Sequence, residues 1–106
     1  MAGNYPEKIK SLALFDGHFD AYKLSAKQCD ILFANYPADT SIPPHRHDTD
    51  NYGVITRGKL FLTIDNITTG YGVGDWYHIP ANIEHAAYFE TETDEIEFWF
   101  EAHTGD

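Results

Sequence analysis

Turn signals punctuate this chain so often that only short strands fit between them. Residues 31–36 (ILFANY) end at Pro37-Ala38-Asp39, and residues 42–47 carry a proline pair, Pro43-Pro44, at their start. Residues 51–56 run into Arg57-Gly58-Lys59, which reads as a tight turn. Leu60, Leu62 and Ile64 then alternate with Phe61, Thr63 and Asp65, and Asp65-Asn66 opens the next turn. Residues 76–79 stop at Pro80, and residues 84–90 and 95–101 complete the set. Alternation over so few residues marks half-buried strands, and nothing in the second half keeps a helical period. Several short strands between turns fit an all-β sandwich or barrel. In residues 95–101, Ile96, Phe98 and Phe100 share one face, while Glu95, Glu97 and Glu101 share the other with Trp99. Tyr36, Trp76, Phe98 and Phe100 are the expected core aromatics.

The chain has 106 residues, enough for one small domain and little more. Seventeen acidic residues against seven Lys plus Arg give a formal charge of -10. That balance excludes nucleic acid and anionic membrane surfaces as natural partners, because both demand clustered Lys and Arg. A single cysteine, Cys29, excludes an internal disulfide framework and fits a reducing compartment. The first residues, MAGNYPEKIK, lack the apolar centre of a signal peptide, and no run is long and apolar enough to span a bilayer. The expectation is a cytoplasmic protein. Residues 1–28 read as an N-terminal arm in which Ile9, Leu12, Leu14 and Phe15 supply a short strand, and residues 29–106 as the barrel. An open sheet edge invites a covering strand, so the arm is expected to pair with a second copy in a homodimer.

Chemistry concentrates in the histidines. His45 and His47 are spaced i, i+2, so on a strand they point to one face with Cα atoms roughly 7 Å apart. Two imidazoles so placed can hold one metal ion, and a third, His85, would arrive on another strand. Three ligands leave coordination positions open for a substrate.

Taken together, two motifs resemble those of the cupin family. The first reads His45-Arg46-His47, then Asn51, then Gly58; the second reads Gly74-Asp75, Pro80 and His85. The resemblance covers roughly residues 30–101. It implies a single-domain double-stranded β-helix, the jelly-roll barrel, with one divalent transition metal inside. Iron, zinc, nickel, copper and manganese all remain open, since imidazole suits several of them. Matched position by position, it implies His45, His47 and His85 as ligands. Three positions depart from the pattern. Asn51 stands where the family has a glutamate ligand, Asn82 replaces a glycine, and Phe89 replaces an asparagine. Asn tolerates the left-handed backbone that a glycine turn needs. Asn51 is either a weak neutral ligand or a hydrogen-bonding residue, and Asp50 is its rival if the register slips by one.

Without a carboxylate ligand, the ion would keep its full positive charge and favour an anionic small molecule. Gly53 and Ile55 follow Asn51 at strand period, and Ala87 and Phe89 share the face of His85, so these four are expected pocket residues. Glu84 and Arg46 are expected to face outward. His78 is the one leftover histidine nearby and can serve as an acid–base group, although such a residue is more often plain surface or core. The functional expectation is a metal-binding cupin that binds or acts on a small, anionic molecule, with dioxygenase-type oxidoreductase chemistry if it is an enzyme. The alternatives are a non-catalytic binding or sensing module and a sugar isomerase or epimerase.

Overall fold

The structure is a computed structural model that describes residues 5–17 and 19–101. A short helix, α1 (Glu7–Lys10), precedes ten strands: β1 (Ala13–Leu14), β2 (Asp20–Ala26), β3 (Cys29–Tyr36), β4 (Thr40–His45), β5 (Thr49–Arg57), β6 (Leu60–Ile64), β7 (Ile67–Tyr71), β8 (Trp76–Ile79), β9 (His85–Phe89) and β10 (Thr93–Glu101). They form two antiparallel sheets, six strands in the order β1-β2-β3-β10-β5-β8 and four in the order β4-β9-β6-β7. This is the jelly-roll barrel that the motif resemblance implies, built from the short strands expected from the turn spacing.

The turns follow from their residues. Asp65 and Asn66 both adopt positive φ, 53° and 63°, and join β6 to β7 by a two-residue hairpin. Gly58 sits at φ 82°, and a Cβ there would lie 2.4 Å from the Glu92 carbonyl, so the β5–β6 turn requires glycine. The proline pair breaks the β4–β9 ladder between Ile42 and His45, as residues without an N–H must.

Leu32, Ala34, Ile55, Leu60, Leu62 and Ile79 pack with Tyr36, Tyr77 and Phe89 between the sheets. Three expectations change here. The region expected as an N-terminal arm extends the sheet of its own barrel: β2 pairs with β3 over seven residues, and β1 pairs with β2. The expected boundary at residue 28 falls inside the β2–β3 hairpin. Strands β2 and β7 were not expected, because residues 20–26 and 67–71 alternate weakly.

The third change concerns β10. Its acidic face points inward and its apolar face outward: Glu95 and Glu97 are buried, whereas Phe100 is 41% exposed. Trp76 is 58% exposed on β8 and stacks on Phe98 rather than entering the core. Alternation says which residues share a face but not which face is inside. Here β10 lies between β3 and β5, opposite Leu32 and Ala34 on one side and Gly53 and Ile55 on the other. Those small and apolar neighbours carry the two glutamates into the interior.

Candidate functional site

After the proline break, the β4–β9 ladder resumes with His45 directly opposite His85. Strand β4 ends at His45, so His47 lies just beyond it. Its carbonyl accepts a 2.7 Å hydrogen bond from the Asn82 N–H. Asn82 holds φ 64°, the left-handed turn anticipated for it. That bond ties the first histidine segment to the turn leading into His85. The ligand nitrogens of His45, His47 and His85 come within 4.8 Å of one another.

The donor set fits a metal ion. Nδ1 of His45 lies 2.8 Å from the Pro43 carbonyl, and Nδ1 of His85 lies 3.0 Å from the Ile83 carbonyl. A carbonyl only accepts, so both rings donate from Nδ1 and turn an Nε2 lone pair inward. His45 Nε2 stands 3.1 Å from His47 Nε2. Burial pushes the His85 pKa below its ordinary value, only partly opposed by the Ile83 hydrogen bond, and His45 pushes it further down. A neutral ring is the form that ligates.

Asn51 is buried opposite Trp99, and its Oδ1 accepts a 2.6 Å hydrogen bond from the Thr49 hydroxyl. Asp50 is turned away: its carboxylate lies 2.6 Å from His78 Nε2. His78 itself is on the outer face of β8, stacked on Tyr52, so neither residue reaches the interior. Arg46 and Glu84 meet at 3.8 Å as an exposed pair.

The histidines open into a cavity of about 670 Å³. Ala87 and Phe89 line it, with Asn51, Ile42, Leu60 and Leu62. Gly53 and Ile55 do not. The Tyr77 ring lies across Gly53, where a Cβ would come within 2.3 Å of it, and Ile55 is consumed by the core. The far wall was not foreseen. Glu95 accepts a short hydrogen bond from the Tyr77 hydroxyl. Glu97 accepts from the Tyr36 hydroxyl at 2.5 Å and from Trp99 Nε1 at 2.9 Å. Burial, and then the adjacent Glu97, hold the Glu95 carboxyl well above the usual carboxylate range, and the two side chains are hydrogen-bonded to each other. Trp99 connects the two polar centres, since its ring also lies 4.7 Å from that of His47. The N-terminal region closes the chamber: Phe15 packs edge-on against Trp99, and Phe19 lies 5.1 Å from Tyr36. The sequence signal for this wall was Trp99 itself, an indole placed among the supposedly exposed glutamates.

A cupin-domain family model matches residues 32–101. The chain belongs to the cupin family. Among solved structures, this cupin resembles an RmlC-like cupin from Shewanella frigidimarina NCIMB 400, with a TM-score of 0.76, 15% identity, and coverage of 89% of this chain and 87% of the other. It also resembles AerE from Microcystis aeruginosa, with a TM-score of 0.72, 24% identity, and coverage of 78% and 41%. Both likenesses concern the fold. In sequence it is 28% identical over 68 residues to a Bacillus subtilis protein named H2HPP isomerase, which covers 63% of this cupin. The match spans only 29% of that relative's length. Among the described residues, no helix is long and apolar enough to cross a membrane.

Proposed function

We propose that this cupin holds a divalent transition metal on His45, His47 and His85 and uses it to bind a small anionic molecule inside the barrel. The observation that carries the reading is the convergence of three imidazoles, two oriented by backbone carbonyls, at the wall of a cavity large enough for such a molecule. A bound ion would supply positive charge and Lewis-acid polarisation of a carbonyl or carboxylate oxygen. With Asn51 in place of a carboxylate, no ligand of the chain offsets that charge. Trp99, Phe15, Phe19 and Phe89 wall the chamber with apolar surface, which excludes water and suits a ligand with an apolar body.

The reaction that fits best is isomerisation without net oxidation. The same cavity is lined by carboxyl and phenol groups, which can give and take protons, and a relative bears an isomerase name. The dioxygenase-type reading draws its support from the three-histidine donor set alone. His78 has no part in either, because it lies outside. A homodimer through the outer face of the six-stranded sheet is part of the same proposal: Trp76, Phe98, Phe100 and Tyr52 gather there.

The test is the metal content of protein purified without chelators, beside His47→Ala. Near one equivalent in the wild type, lost in the variant, supports the reading. A wild type that neither carries nor takes up metal on titration ends it.

A further inference from the structure

The interior of a small barrel is a costly place for two carboxyl groups. A buried carboxyl without a counter-charge costs several kcal/mol unless it is protonated or richly hydrogen-bonded. Glu95 and Glu97 are on β10 with Cα positions two residues apart, so both project from the same face of the sheet. They are 1% and 5% exposed, and both line the cavity. Among the described residues, no Lys or Arg is bonded to either. Their partners are the hydroxyls of Tyr77 and Tyr36, the indole of Trp99, and each other. A structural salt bridge in this chain looks different: Asp94, next along the strand, is bonded by Arg57 and Asn35.

We propose that Glu95 and Glu97 are the catalytic proton-transfer pair, moving a proton between two positions of a small carbonyl compound held by the histidine site. The proposal rests on the isomerase reading above and assigns it a substrate class: an anionic carbonyl compound with a C–H bond next to the carbonyl and an apolar or aromatic body. Glu97 takes the proton from that carbon. The C–H bond breaks, its electron pair forms a carbon–carbon double bond, and the carbonyl π pair moves onto oxygen to give an enolate. Glu95 then delivers its proton to carbon, at the same position or at the far end of a conjugated system. The carbonyl re-forms as the new C–H bond is made. Glu97 has gained the proton that Glu95 has lost, and the hydrogen bond between them returns it. No oxidant, reductant or further reactant is consumed. Burial supports these roles, because it holds the Glu95 carboxyl in its acid form where a water-exposed one would be ionised. Tyr36 and Tyr77 fix the two carboxyls in place and act as positioning residues.

The experiment uses 2-oxo-4-phenylbutanoate, which has a carboxylate, an enolisable C3–H and an aromatic body. Metal-loaded wild type, E95Q, E97Q and E97D are incubated with it in deuterium oxide, and loss of the C3 proton signal is followed by NMR. Calorimetry measures probe binding, and metal content is measured on the same samples. The expected result is C3 exchange catalysed by the wild type and lowered about 100-fold or more in E95Q and E97Q. E97D should retain part of the rate, and all four proteins should keep their metal and their affinity for the probe. A second readout is the infrared band of a protonated carboxyl at neutral pH, present in the wild type and absent in E95Q. Exchange that survives both glutamine substitutions, or a wild type that binds metal and probe without exchanging C3, overturns the proposal and leaves the metal site standing. A wild type without metal instead overturns the reading beneath it.

Discussion

His45 and His85 face each other across the β4–β9 ladder with ring centroids 4.2 Å apart, and each ring donates backward to a carbonyl two residues earlier in its own segment. The proline pair ahead of His45 makes this possible. It interrupts the ladder just before the histidine, so the strand can shift register and still return in line. Each imidazole is thus oriented by its own chain rather than by a distant carboxylate.

That arrangement makes the charge of the site adjustable at Asn51. Replacing it with glutamate (N51E) places a carboxylate where the family pattern has one. Metal affinity should rise, and affinity for anionic ligands such as oxalate should fall, by roughly tenfold or more for one full charge in a partly buried site. Titration calorimetry on metal-loaded protein checks it. Equal affinity for oxalate in both proteins would remove the charge argument.

Gly53 lies opposite Tyr77 across the β5–β8 pair, and the phenol occupies the space of the missing side chain. In G53A the ring must move, and its hydroxyl should leave Glu95. The expected cost is about 1–3 kcal/mol, from overpacking and a weakened buried hydrogen bond. Chemical denaturation measures it. An unchanged midpoint would mean the barrel yields there more easily than its packing implies.

Glu95 gives the fold a pH dependence of unusual sign. An unfolded glutamate titrates near 4.5, whereas burial and then the adjacent Glu97 make the folded carboxyl keep its proton well above that, against an opposing hydrogen bond from Tyr77. Between those two values the folded chain binds one proton more than the unfolded chain. Stability from this group is therefore complete below about 4.5 and is lost as pH rises toward the folded pKa. Relative to E95Q, the wild type should lose thermal stability as pH rises from about 4.5 toward the raised pKa of the buried carboxyl. Parallel melting curves for the two proteins across that range would contradict the assignment.

The apolar outer face of the six-stranded sheet should bury itself against a second copy. Light scattering on the 12.0 kDa chain should report a dimer, and Trp76→Glu together with Phe98→Glu should give a folded monomer. A monomeric wild type would end that part of the proposal.

Much of the barrel could be read from the sequence because turn chemistry is local. Asp65-Asn66, Gly58 and Asn82 each adopt the backbone that their residue types favour, and strand β8 has the bounds that Pro80 imposes. The histidines were also legible, since their neighbours carry the family pattern. The acidic wall was not. Period-two alternation in β10 grouped Glu95, Glu97 and Trp99 correctly, but hydrophobicity turned the group outward. Only its position between β3 and β5 reverses that, and strand order is a long-range property. Asp50 and His78 are a related case: adjacency in sequence makes them candidates beside the histidines, while their strands point them to the opposite face.

Phe15 and Phe19 complete the chamber from outside residues 32–101, the part of the chain that the family model covers. Part of the chamber lining is thus encoded outside the stretch that carries the three histidines. Substitutions in the leading hairpin can reshape what the chamber accepts while the histidine end stays intact.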